Sequence, residues 1–172
     1  MTAPRQPKSH AAFSLAATSV PGGREYLPFL KRQLLASHAY LNAPLIDLSV
    51  AIVGAKQMGA LHLKFMGDPT PTDVLTFDLD HNHAGKVTHG EVIVCMGVAR
   101  AEARRRGIAV EHELLLYALH GMLHLCGFDD RTTATYRRMH RMEDRILTHL
   151  GIGTVFASRD SGSGSTRTPG VG

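Results

Sequence analysis

No stretch of the sequence approaches the ~20 consecutive apolar residues that a helical membrane span needs, which argues against an integral membrane protein. Cysteine is scarce as well. Cys95 and Cys126 are the only two, and both sit inside apolar stretches, so they read as buried free thiols and not as a disulfide framework, which suits a reducing cytoplasm. No acidic residue precedes Glu25, yet "AAFSLAA" is too short and interrupted for the apolar region of a signal peptide, and residues 11 to 19 read instead as a strand. Internal repeats are absent. The first ten residues and the last fifteen, "SRDSGSGSTRTPGVG", have almost no apolar content and are expected to be disordered. This leaves one domain over residues 11–152, between tails at 1–10 and 153–172.

What is present is the composition of a globular protein, 44% hydrophobic and 20% charged, with a formal charge of +4. Of the 19 basic residues, 14 are arginine, whose planar fork suits phosphate, although a solvated basic face would look the same. "REYLPFLKRQLLASHAYL" has helical spacing at Tyr26, Leu27, Leu30, Leu34 and Leu35, and "IDLSVAIV" alternates as a strand. A short helix is expected in "AKQMGALHLKF", a strand in "DVLTFDL", a polar loop over 81–90, a strand in "EVIVCMG" and a helix closed by Gly107. Residues 111–126 are apolar almost all round after an acidic first turn, as in a central buried helix. A last helix over 133–150 turns Tyr136, Met139, Ile146, Leu147 and Leu150 inward. Strands and helices mix without strict alternation. The fold class is α+β, a single small mixed sheet covered by helices around a buried helix.

That buried helix carries "HGMLHLCGFDD", residues 120 to 130. Histidines four apart on a helix stand one above the other, close enough for both rings to reach one zinc ion. Gly127 ends the helix and turns the chain, so Asp130 can swing back as a third ligand. Two imidazoles buried unpaired in an apolar helix would be costly, which favours a metal site over core histidines. Three protein ligands leave a position open, as catalytic zinc sites do. Cys126 follows His124 by about 200° around the helix and points away. The loop histidines His81, His83 and His89 are given no function. A protease of the HExxH type needs a glutamate beside the first histidine as general base, and Gly121 stands there, so peptide hydrolysis is the weaker reading.

The segment "LHGMLHLCGFDD" resembles the HGxLHLxGYDH signature of the YbeY family of endoribonucleases and rRNA maturation factors, and "PTDVLTF" at 71–77 resembles its PTDVLSF segment. "GEVIVC" and "MHRMEDRIL" are similar to further segments, and the likeness spans roughly residues 10 to 150. It implies an α+β fold, one zinc ion held at His120, His124 and Asp130, and cleavage of single-stranded RNA in small-subunit rRNA maturation and ribosome quality control. Thr72 and Asp73 would then lie near the metal and shape the site, or simply cap a turn. Asp129 matches the aspartate that precedes the third ligand.

Three positions depart from the family pattern. Asp130 replaces a histidine ligand, Glu91 an aspartate, and Met66 an arginine expected to meet RNA phosphate. That contact could pass to Arg100, Arg104, Arg105 and Arg106, to Arg131, or to Arg137, Arg138, Arg141 and Arg145, which form a stripe on the last helix. The expected protein is a cytoplasmic, zinc-dependent RNase with the ribosome or its small subunit as partner and no membrane. A ribosome assembly factor with structural zinc and little catalysis is the alternative, made more credible by Met66.

Overall fold

In the computed structural model, residues 12–154 are described. They form β1 (Ser14–Ser19), α1 (Leu27–Leu41), β2 (Asp47–Val53), α2 (Ala55–Met66), β3 (Val74–His81), β4 (Val87–Cys95), α3 (Met96–Arg106), α4 (Val110–Leu125) and α5 (Thr133–His149). The tails expected at 1–10 and 153–172 lie outside the described residues, save Gly153 and Thr154.

The strands make one sheet in the order β1-β2-β4-β3. β1 and β4 both run parallel to β2, while β3 pairs antiparallel with β4 at the edge. The expected α+β architecture with a mixed sheet is what the chain adopts. The polar loop expected over 81–90 is shorter than that. β3 extends to His81 and β4 begins at Val87, leaving 82–86 as a turn in which the Asn82 side chain accepts from the Ala84 and Lys86 amides. Cross-strand pairing extends regular structure into residues whose polarity alone read as loop.

Alternate residues of a strand face opposite sides, and here each side has its own core. Leu48, Val50 and Ile52 of β2 join Val92 and Val94 of β4, Leu30 and Leu34 of α1, and the apolar residues of α4 and α5 in the larger cluster. Val53, Leu75, Ile93 and Cys95 pack with Met58 of α2 in the smaller one. Thus α2 covers one face and the remaining long helices the other. Met139, Ile146 and Leu147 of α5 are buried as expected, but Tyr136 is 47% exposed and Leu35 of α1 45%. Tyr136 instead sets its ring edge-on against His140, with centroids 4.0 Å apart.

α4 is the centre of the larger core, with 11 of its 16 residues buried. It lies very close to the sheet. A Cβ at Gly121 would come within 2.7–2.8 Å of Val92 and Thr76 side-chain atoms, and one turn later Leu125 occupies the space that a Cβ on Gly90 of β4 would need. A glycine on the helix and a glycine on the strand therefore set the depth at which α4 seats. The Gly121→Ala variant should gain about 1 kcal/mol in helix propensity and lose about 1–3 kcal/mol to overpacking. A net loss of stability is the expected outcome, read as a lower denaturation midpoint at unchanged slope.

Candidate metal centre

His120 and His124 project from the last turns of α4, on a face adjoining the one that carries Gly121 and Leu125 against the sheet. The helix ends at Cys126 in a Schellman arrangement: Gly127 takes a left-handed φ of 92°, its amide donates to the His124 carbonyl, and the Phe128 amide donates to the Leu123 carbonyl. This turn does two things for the site. It presents the Phe128 carbonyl to Nδ1 of His124 at 3.1 Å, and it brings Asp130 back beside both rings. A threonine capping box, Thr132 with Thr135, then starts α5. The new helix returns beneath the histidines and places Glu143 2.7 Å from Nδ1 of His120.

Both Nδ1 atoms are thus committed to oxygen acceptors. Each ring directs Nε2 toward the other, at 3.1 Å, and the Asp130 Oδ2 lies 3.6 Å from His120 Nε2 and 3.8 Å from His124 Nε2. With both rings neutral, three lone-pair donors converge on one point. Ligands about 2.0–2.2 Å from a shared tetrahedral ion stand roughly 3.3–3.6 Å apart, so the present spacing needs only small adjustments to hold one. Among the described residues this is the single group of histidine, cysteine or carboxylate ligands close enough for that role. The three side chains remain 22–37% exposed, so the point is open to solvent on one side.

The charges around the site are unevenly arranged. Burial favours the neutral form of His120, but the hydrogen bond and charge of Glu143, helped by Asp130 and Asp73, outweigh it and raise the pKa. In His124, burial and then the neighbouring charge of His120 hold the pKa below its ordinary value. Burial would raise the Glu143 carboxyl, yet hydrogen bonds and charge from His120 and His140 leave it lower than usual. Cys126 packs against the main core, and burial pushes its thiol up to about 12, which fits a core thiol and not a ligand.

The other residues singled out in the sequence fall in different places. Asp73 caps the start of β3, accepting from the Val74 amide at 2.8 Å and from the Thr72 hydroxyl at 3.2 Å, while its charge still reaches His120. Asp129 turns away from the ligand point and accepts from the Arg131 amide and Nε. Arg137, Arg138, Arg141 and Arg145 are all exposed on α5, and Arg138 stacks over the Phe128 ring at 5.3 Å. Arg104 and Arg105 stand at the end of α3, with Arg105 bonded to Glu102. Arg106 is unsuited to phosphate, since its side chain is only 10% exposed and is held in an ion pair with the buried Glu113 at 2.7 Å. Glu113 precedes His120 by about 10 Å of helix rise, so the α3 arginines lie remote from the histidines. His81 and His89 belong to strands, beside Asp78 and Asp80.

Glu143 and His140 were not singled out from the sequence. Their signal was a glutamate within the apolar stripe of Met139, Ile146 and Leu147. The close seating at Gly121 also bears on peptide hydrolysis, because the position where HExxH proteases have their general base has no room for a side chain.

Residues 25–151 match the family described as Endoribonuclease YbeY. A protein of that name from Thermobifida fusca is 34% identical over 137 residues, covering 76% of this chain and 87% of its own. Another, from Acidothermus cellulolyticus, is 34% identical over 116 residues, covering 61% and 71%. The solution structure of a Thermotoga maritima protein is similar with a TM-score of 0.53 at 25% identity, over 88% of this chain and 99% of that one.

A metal ion bound by this group must compete with protons for Nε2 of His120, whose pKa is raised. Metal affinity should therefore climb as pH rises through that raised value and level off above it. Competition titrations with a chromogenic chelator between about pH 5 and about pH 9 measure this. A flat profile would remove His120 from the ligand set.

Proposed function

The chain belongs to the endoribonuclease YbeY family, and on that premise we propose that it is a zinc-dependent, single-strand-specific endoribonuclease of small-subunit rRNA maturation and ribosome quality control. The observation that carries the reading is the convergence of His120 Nε2, His124 Nε2 and Asp130 Oδ2 with both Nδ1 atoms occupied. Two imidazoles and a carboxylate form a donor set that suits zinc, and three ligands leave a coordination position open. One zinc ion there supplies Lewis-acid activation of water and of a phosphoryl oxygen for hydrolysis of the RNA backbone. His120 and His124 hold the ion as neutral ligands, and Asp130 adds negative charge beside them. Asp73, whose charge reaches His120, would shape the site together with Thr72, its hydrogen-bond partner, and Asp129 would hold the turn that delivers Asp130.

RNA would approach along α5, which carries Arg137, Arg138, Arg141 and Arg145. Arg138 stands over Phe128, the residue whose carbonyl orients His124, so this stripe reaches the edge of the site. Arg104 and Arg105 would touch only a more distant part of a bound strand. The partner is rRNA within the ribosome or its small subunit. A cytoplasmic setting agrees with two free thiols and with the lack, among the described residues, of any helix long and apolar enough to cross a membrane. One observation favours a ribosome assembly factor with little catalysis. Met66, 52% exposed, stands where the family resemblance implies an arginine, and a thioether cannot bind phosphate. A metal-dependent RNase assay beside ribosome co-sedimentation separates the two.

Replacing Asp130 by alanine should lower zinc affinity by more than the roughly 10- to 100-fold typical of supporting residues and abolish cleavage. Asp130→His should retain zinc and move the pH–rate profile to lower pH, since a negative charge leaves the site. Asp129→Ala should keep most of the metal. Zinc content by elemental analysis decides, and loss in Asp129→Ala but not in Asp130→Ala would shift the ligand by one residue. Reversing Arg137, Arg138 and Arg141 to glutamate should weaken RNA binding and flatten its logarithmic salt dependence by about 0.7 for each single-strand phosphate that is no longer neutralised. An unaltered salt slope in a folded protein would place the RNA elsewhere.

A further inference from the structure

We propose that Glu143, anchored from behind by His140, is a positioning residue that fixes His120 as its Nδ1–H tautomer and thereby aims Nε2 at the metal. This rests on the metal reading given above. The Glu143 side chain is 0% exposed, and both of its oxygens are used: Oε1 accepts from His120 Nδ1 and Oε2 from His140 Nδ1, each at 2.7 Å. An ionised carboxylate offers only acceptors, so both imidazoles must donate through Nδ1. Neutral His120 then has one nitrogen left with a lone pair, and that nitrogen points at His124 and Asp130. A carboxylate in this apolar stripe of α5 would be costly without such partners.

The two candidate ligand histidines are oriented by different devices. His124 donates to a backbone carbonyl, that of Phe128, at 3.1 Å, which no side-chain replacement on α5 removes. His120 depends on a side chain 23 residues away in sequence. His140 completes this second device. It lies three residues before Glu143 on α5, its ring stacks on His120 at 6.2 Å and 25°, and Tyr136 packs edge-on against it. With its second oxygen held, the carboxylate cannot rotate away from His120. Glu143 and His140 thus act through His120 and touch no substrate.

The test compares wild-type protein with Glu143→Leu, which puts an apolar side chain of similar size in this buried setting, and with Glu143→Gln, which keeps one acceptor oxygen. Zinc affinity is measured by competition with Zn2+ alone. Histidine tautomers are read from long-range nitrogen–proton NMR spectra of the metal-free protein. Glu143→Leu should lower zinc affinity roughly 10- to 100-fold and convert His120 from one tautomer to a mixture while His124 keeps its own. Glu143→Gln should fall between it and wild type. A folded Glu143→Leu protein with wild-type affinity and an unchanged His120 tautomer overturns the proposal. Should that variant not fold, Glu143→Gln decides: wild-type affinity overturns the proposal, and a lowered affinity with His124 unaltered supports it. If wild-type protein takes up no zinc, the metal reading fails, while the tautomer comparison still decides the role of Glu143.

Discussion

The close approach of α4 to the sheet is the constraint on which the rest of the site depends. With Gly121 pressed on Val92 and Thr76, and Leu125 pressed on Gly90, the helix has little freedom to roll or slide. Side chains at 120 and 124 must then leave the helix on the face beside that contact. A packed interior transmits such constraints because it has few voids to absorb them. The apolar layer is thus what gives two imidazoles a fixed direction, and the turn at Gly127 and the return of α5 add their partners to a frame already set.

α4 carries polar groups at both ends of an otherwise apolar course, and each is met by a partner from another element. Near its start, Glu113 is buried with Arg106 of α3. Near its end, His120 meets Glu143 of α5, which also holds His140. A buried charge without a partner costs several kcal/mol, and a paired one is close to neutral for stability. These pairs therefore add little to stability and much to register, because α3 and α5 can dock against α4 with their charges satisfied in only one alignment. At the His120 end, the docking also steadies the group in which three candidate ligand atoms meet.

Electrostatics divides the surface in a way that agrees with an anionic substrate. The solvent side of α5 is arginine-rich, and its inner side carries the carboxylate that supports His120. One helix therefore serves both the inner support of the candidate metal centre and a basic outer face. The exposed Met66 at the end of α2 puts a thioether where the family resemblance implies a cation, so on the proposed reading the weight of phosphate binding falls on α5.

Much of the site is local, and for that reason it was legible in the sequence. His120, His124, Gly127 and Asp130 lie within 11 residues, and helical period plus one left-handed glycine is enough to bring them together. The same holds for the inward faces of β2, β4 and α5, which follow from alternation and from the 3.6-residue period. Period identifies a face but not what meets it. Tyr136 fits the apolar stripe and is nevertheless exposed, Arg106 resembles its surface neighbours and is nevertheless drawn inward onto Glu113, and residues 87–90 read as loop until β2 and β3 pair with them. Glu143 is the clearest case. Sequence alone determined the fold class and the grouping of His120, His124 and Asp130, because these depend on hydrophobic pattern and short-range geometry. Only the tertiary structure decided which nitrogen of each histidine faces the point they share, because that depends on acceptors delivered by a helix cap and by a helix 23 residues further along the chain.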